Sequence, residues 1–254
     1  LFFSFFFVYN TNSKGVDSMQ RYFAKDKIND KIILLDSDMH HITKVMRMNI
    51  GDEIEVIYDK KLYLCKIINN YEIETVKELE EDNELNIDIT IAIGMVKEQK
   101  FDLILQKLTE LGVKEIIPLA MERSIVKLDG SKINKKLDRW NMICKEASEQ
   151  SKRNIIPKVK EPMTLKELAS LDYDTKLICS VKQKENFINY YLQQEEKCAK
   201  MLVVIGPEGG ISDKEEEFLN DNNFISVSLG NRVLRVETAA IYVASIINYS
   251  CMEW

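Results

Sequence analysis

The sequence predicts a chain in two parts, a small β-rich domain followed by an α/β domain with a mainly parallel sheet. Three observations predict it. Residues 19–79 hold short runs that alternate apolar with polar side chains, separated by turn-forming residues. Residues 78–84 are acidic and poor in apolar side chains, so they read as a linker. Beyond them, β-rich runs alternate with segments whose apolar residues recur at helical spacing. Connections of that kind join parallel strands.

In the first part, residues 31–35, 53–58, 62–67 and 72–76 read as strands, with turns at residues 49–52 and 59–61. One helix interrupts them, capped by Asp38 and presenting Ile42, Val45 and Met46 on one face. A small β-barrel with one helix fits. In the second part, residues 87–93 form a strand. A helix follows over residues 97–111, with Phe101, Ile104, Leu105, Leu108 and Leu111 on one side and Gly112 at its end. Strands are expected at residues 115–119, 176–181, 201–205 and 225–229. A long helix covers residues 131–152, with Leu137, Trp140, Cys144 and Ala147 inward. Ser212 caps a charged helix reaching Asn222, and the last helix runs over residues 237–249. The expected layout is an extension at 1–18, a barrel at 19–79, a linker at 80–84 and the α/β domain at 85–254.

With 254 residues, 45% of them hydrophobic, the chain can bury a sizeable core. No run of apolar residues is long enough for a transmembrane helix. The five cysteines are scattered, with no CxxC pair, so neither a zinc site nor a disulfide framework is expected. Reduced thiols in a cytoplasmic protein are the simpler reading. Residues 1–18 differ in composition from the rest, and Met19-Gln-Arg-Tyr-Phe reads as a natural start. The net charge is −6, but it is unevenly spread. Residues 97–160 carry fifteen Lys/Arg and nine Asp/Glu, a local +6 on an otherwise acidic chain. That pattern suits a localised anionic partner or, more blandly, a set of solvated helix faces.

The sharpest motif is Val203-Val-Ile-Gly-Pro-Glu-Gly-Gly-Ile-Ser212. An apolar strand stops at Gly206, the chain turns through Pro207, and backbone N–H groups emerge around Gly209 and Gly210 before a capped helix. Ligands of open α/β sheets sit beyond the carboxyl ends of strands, where such loops lie. The spacing matches neither a dinucleotide fingerprint nor a phosphate-binding P-loop. The second motif, Leu229-Gly-Asn-Arg-Val-Leu-Arg-Val-Glu-Thr-Ala-Ala240, again ends a strand in a glycine turn, with Arg232 and Arg235 ahead of a helix. These arginines could meet a phosphate or a developing anion. The third, Glu149-Gln-Ser-Lys-Arg-Asn154, offers cationic and amide groups together with Glu122-Arg-Ser124. His40 and His41 lack neighbouring Cys or carboxylate ligands and read as surface or RNA-contact residues.

Taken together the segments resemble the ribosomal RNA small-subunit methyltransferase E family of the SPOUT superfamily, over residues 19–249. The resemblance is carried by Arg21-Tyr-Phe23, His40-His-Ile-Thr-Lys-Val-Met-Arg47, Lys107-Leu-Thr-Glu-Leu-Gly112, Glu122-Arg-Ser-Ile-Val-Lys127, Glu146-Ala-Ser-Glu-Gln150, Arg153-Asn154 and the two glycine motifs, in order and spacing. It implies a PUA-like RNA-binding barrel and a SPOUT domain tied in a deep trefoil knot. It also implies a homodimer, S-adenosylmethionine as the methyl donor without a metal, and N3 of a uridine in 16S rRNA of the small ribosomal subunit as the target. Ser180-Val-Lys-Gln-Lys184 departs from the family pattern.

Uridine N3 becomes nucleophilic when its proton leaves, and the charge spreads onto O2 and O4. A site therefore wants a base or solvent path and a nearby cation. Arg235 is expected as the cation, with Glu237 or Glu208 as the polar partner. Ile205, Gly206, Pro207, Glu208, Gly209, Gly210, Leu229, Gly230, Val233, Leu234 and Ala239 are expected to cradle the cofactor. Arg21, His40, Arg47, Arg123, Arg153 and Asn154 are expected to meet RNA. Two rival readings stand beside this one. The first is a SPOUT methyltransferase acting on another base or a ribose 2′-hydroxyl. The second is a non-catalytic RNA-binding assembly factor.

Overall fold

Alternating burial shapes the first sheet, with a step in register between Leu64 and Cys65. In β4 (Glu53–Tyr58) and β5 (Lys61–Asn69), Ile54, Val56, Leu62, Cys65 and Ile67 point inward while Glu53, Lys61 and Lys66 face water. The computed structural model describes residues 19–69, 72–124, 133–192 and 199–251. The expectations for residues 1–18, Lys127, residues 131–132 and Cys198 lie outside those ranges. The chain divides into two units at Glu80/Glu81.

In the first unit, β1 (Arg21–Phe23), β2 (Asp26–Ile28), β3 (Lys31–Ile33), β4, β5 and β6 (Glu72–Leu79) form one sheet in the order β1-β4-β5-β6-β3-β2. β1 pairs parallel with β4, and the remaining pairs are antiparallel. Tyr22, Ile32, Leu34, Ile42, Ile54, Val56, Cys65, Ile67 and Ile73 form its core. Burial pushes the Cys65 thiol up to about 12, keeping it protonated. The helix is shorter than expected: α1 spans Asp36–His40 and passes into a π-helical turn, His41–Val45. Two expectations need correction here. Asp38 lies buried inside α1 and does not cap it, Leu35 holding the cap position. Ile42 is buried, but Val45 is 49% and Met46 39% exposed. The wide turn, closed by Met46 N–H to His41 O and Met48 N–H to Ile42 O, rotates those side chains out of the helical stripe. β1 and β2 went unread because three-residue strands carry too little pattern.

The second unit is built on β7 (Asp88–Gly94), β8 (Glu115–Ala120), β9 (Lys158–Val159), β10 (Met163–Thr164), β11 (Thr175–Cys179), β12 (Lys200–Ile205) and β13 (Ile225–Val227). They form a parallel sheet ordered β10-β8-β7-β12-β11-β13, with β9 also on β8. β7 and β12 are buried on both faces, hence their nearly unbroken apolar sequences. Ile89, Ile91, Ile93, Met201, Val203 and Ile205 pack into one core with α2 (Glu98–Glu110), α3 (Ile133–Gln150) and α7 (Val236–Cys251). Ala92, Leu202 and Val204 pack into the other, with α4 (Leu165–Ala169) and α6 (Asp213–Asp221). A fifth helix, α5 (Ile188–Leu192), follows β11. No helix among the described residues is long and apolar enough to cross a membrane.

β7 and β12 are neighbours, yet the chain leaves β7 for β8 on one side, while β11 and β13 lie on the other. Such a divergence opens a crevice at the carboxyl ends. The loops ending β7, β11, β12 and β13 all reach that edge.

Candidate active site

β12 and β7 run in register, Ile205 beside Ile93, so Gly94 stands next to the turn that starts at Gly206. A Cβ on Gly94 would lie 2.4 Å from Pro207 Cδ and 2.6 Å from its nitrogen, so only glycine lets the two loops close. The turn after β12 is fastened by Gly210 N–H to Pro207 O at 2.8 Å. It leads into α6 through a capping box: Glu215 N–H donates to Ser212 Oγ, and Glu215 Oε2 accepts from Ser212 N–H at 2.9 Å. Glu215 Oε1 also accepts from Glu122 N–H at 2.7 Å, tying the loop after β8 to the same turn.

At Gly210 (φ +73°) and Gly230 (φ +110°) nothing lies within 4 Å of where a Cβ would stand. Both turns take a conformation that glycine adopts without strain and leave open space beside bare backbone. Among the described residues, the N–H groups of Asn231 to Leu234 bond to no other backbone group. A cradle of open backbone of this kind fits a nucleoside-bearing cofactor.

The expected catalytic residues meet at this edge. Glu208 and Glu237 both face Lys100 in the first turn of α2, with Nζ 3.2 Å from Glu208 Oε1 and 3.6 Å from Glu237 Oε2. Arg235 precedes α7, its carbonyl accepting the N–H of Ala239 at 2.8 Å. Its side chain is exposed and makes no hydrogen bond or ion pair among the described residues. Glu237 thus pairs with Lys100 and not with Arg235. Val233 is 84% exposed, Leu229 and Leu234 pack partly against the core, and Ile205 and Ala239 are buried in it.

The expected RNA contacts divide. His40 and Arg47 are exposed in the first unit. Arg123 is exposed at the carboxyl edge, donating weakly to Gly209 O at 3.3 Å and Ile211 O at 3.4 Å. Arg21, Arg153 and Asn154 are corrections: each is about 97% buried, at 3% exposure, and bonded within the protein. Arg21 Nε donates to Glu55 Oε2 at 2.8 Å. Arg153 donates to Glu84 Oε2 at 2.5 Å, Val113 O at 2.7 Å and Thr109 O at 3.0 Å. Asn154 donates from its side chain to Glu81 O and from its backbone to Glu84. A guanidinium so saturated has no donor to spare for phosphate.

Sequence reasoning missed Gly94, Lys100 and Glu215. The signal for Glu215 was Ser212-x-x-Glu215, a capping box. For Lys100 it was a cation in the first turn of a helix, the end that disfavours positive charge and so calls for a carboxylate nearby. The loop that departs from the family pattern is well anchored. Lys182 pairs with Asp213 and, at 3.2 Å, with Glu216. Gln183 Oε1 accepts the N–H groups of Lys184 and Glu185 at 2.9 and 3.2 Å.

Residues 83–248 match the RNA methyltransferase domain family, and residues 34–70 match the RNA methyltransferase PUA domain. The chain is 36% identical over 247 residues to ribosomal RNA small subunit methyltransferase E of Bacillus subtilis, covering 91% of this chain and 96% of the relative. It is 33% identical to the same-named protein of Mesomycoplasma hyopneumoniae, over 89% of this chain and 97% of that one. Two solved structures share the fold. One is a putative methyltransferase from Legionella pneumophila in complex with S-adenosylmethionine, with TM-score 0.83, 29% identity and 92% and 98% of the two chains covered. The other is ribosomal RNA small subunit methyltransferase E from Neisseria gonorrhoeae bound to S-adenosylmethionine, with TM-score 0.82, 28% identity and 91% and 98% covered.

Proposed function

Because the chain belongs to the ribosomal RNA small subunit methyltransferase E family, we propose that it methylates N3 of a uridine in 16S rRNA, with S-adenosylmethionine as methyl donor. The observation that carries this reading is the carboxyl-edge cluster. There, open glycine turns at Gly210 and Gly230 stand close in the chain to Glu208, to Glu237 at the start of α7, and to an arginine unpaired among the described residues. S-adenosylmethionine, when bound, supplies a methyl group on a sulfonium centre. The backbone of residues 206–210 and 229–234 holds the cofactor. Arg235 places its guanidinium where charge grows on uridine O2 or O4 as N3 loses its proton. A carboxylate of the Glu208–Glu237 pair takes that proton. His40 and Arg47 in the PUA domain, with Arg123 at the sheet edge, meet RNA, so binding weakens steeply as salt rises.

The reading extends to a cytoplasmic homodimer with a closed PUA-like barrel and a trefoil-knotted SPOUT domain. For the dimer the support is α7, which carries no charged residue from Thr238 to Cys251 and leaves Tyr242 and Tyr249 exposed. Mass spectrometry of rRNA nucleosides from cells with and without the protein tests the reaction. 3-Methyluridine present only with the protein is expected. A ribose-methylated nucleoside, or no change, would replace the reading with one of its rivals. Calorimetry with S-adenosylmethionine checks the cofactor independently of RNA: no binding heat by the folded protein overturns the scheme.

A further inference from the structure

We infer that Glu237, not Glu208, accepts the uridine N3 proton, and that Lys100 is the positioning residue that holds the pair ready. The inference rests on the uridine-N3 reading and deepens it.

Two carboxylates share one ammonium, but not equally. Lys100 Nζ donates a hydrogen bond to Glu208 Oε1 at 3.2 Å. Its 3.6 Å separation from Glu237 Oε2 is attraction without a hydrogen bond. Glu237 Oε2 is buried and has no hydrogen-bond partner among the described residues. A buried carboxylate oxygen left without a donor is uncommon, because the missing bond costs free energy. Two features favour a carboxylate at this place: the neighbouring Lys100 charge, and the first turn of α7, where the helix dipole attracts negative charge. Glu237 therefore has a free acceptor site, in water-poor surroundings, two residues from Arg235. Glu208 is the more exposed of the two, at 23% against 15%, and one of its oxygens, Oε1, already accepts from Lys100.

The step balances. The N3–H bond breaks and its proton passes to Glu237 Oε2, while the electron pair stays on N3. That pair forms the bond to the methyl carbon as the carbon–sulfur bond breaks, and sulfur keeps the pair of the broken bond. The proton then leaves Glu237 for solvent. Lys100 touches no reacting atom in this scheme. It keeps the two carboxylates from repelling each other apart and leaves Oε2 unfilled.

The test uses the full-length protein and small subunits reconstituted with unmethylated 16S rRNA, transcribed with either uridine or 5-fluorouridine. Fluorine at C5 acidifies N3–H, so a fluorinated target needs less help from a base. E237Q, E208Q, K100M and K100R are compared by single-turnover rate, S-adenosylmethionine affinity and Tm. E237Q should lose roughly 10²-fold or more in rate on uridine, the range for a general base, and recover much of it on 5-fluorouridine. Its cofactor affinity and Tm should change little. E208Q should lose less, without fluorine rescue. K100M should follow E237Q in direction, and K100R should restore most of the rate. A larger loss in E208Q, or an E237Q loss that fluorine leaves untouched, overturns the assignment. If E237Q lowers Tm sharply, K100M decides alone: absence of fluorine rescue there overturns it. Failure of the underlying reading looks different, since the unmodified protein would then form neither 3-methyluridine nor its 5-fluoro counterpart.

Discussion

Two clusters in the second unit are made of the same chemistry and differ in how completely their bonds are filled. Arg153 with Glu84 is buried and complete: the guanidinium meets a carboxylate and backbone carbonyls, and the carboxylate also accepts the N–H groups of Asn154 and Ile155. Lys100 with Glu208 and Glu237 is incomplete, with one cation for two anions and one carboxylate oxygen unmatched. Arg235 beside it has no partner among the described residues. Saturation marks a group that holds the fold, and on the proposed reading the shortfall marks one held for a visitor. A charged residue in a motif says neither until its bonds are counted.

The comparison can be broken by mutation. Arg153→Ala should have the largest effect on stability. It strands the Glu84 carboxylate and three backbone carbonyls, a loss of about 3–5 kcal/mol for a broken buried pair. Calorimetry should show Tm falling by on the order of 10 °C. RNA affinity measured on the remaining folded protein should be unchanged. A stable Arg153→Ala protein with weak RNA binding would return Arg153 to the interface and undo the contrast.

Arg235→Ala should show the reverse pattern. Its side chain stabilises nothing in the folded protein, so Tm should hold while the single-turnover rate drops by about 10²-fold, as for one charge-stabilising donor. Arg235→Lys should recover little if the fork geometry matters. A fall in Tm and cofactor affinity in proportion to rate would make Arg235 a loop brace.

Ser212→Ala should give the smallest change and sharpen the boundary between the two classes. It removes one half of the capping box at α6, worth about 1 kcal/mol. Glu215 would keep its bond to Glu122 N–H, so the turn after β12 should stay formed. Urea denaturation should register the loss, with S-adenosylmethionine affinity within a few-fold of the parent protein.

Much of the α/β unit was legible because its elements are long and their patterns unambiguous. Phe101, Ile104, Leu105 and Leu108 are all buried on α2, and Trp140, Cys144 and Ala147 on α3, as their spacing predicts. The glycine motifs were placed correctly at the carboxyl edge, since a strand that ends in Gly206 or near Gly230 has no other exit. The first unit was less legible. Three-residue strands and a π-helical turn lack the repeats on which periodicity depends, hence the misassigned Asp38, Val45 and Met46.

The sequence by itself determined the longer strands and helices, where the main polar loops fall, and the family to which the chain belongs. Those properties depend on spacing and residue type within short stretches. Tertiary structure alone decided which charges are available. Arg153 and Arg235 are both arginines within short polar motifs, yet one is wrapped by carbonyls from residues 109–113 and the other faces water. Glu84 reaches Arg153 across 69 positions, and Lys100 reaches Glu208 across 108. Hydrogen-bond saturation is a sum over neighbours that are distant in the chain, so no local pattern can encode it.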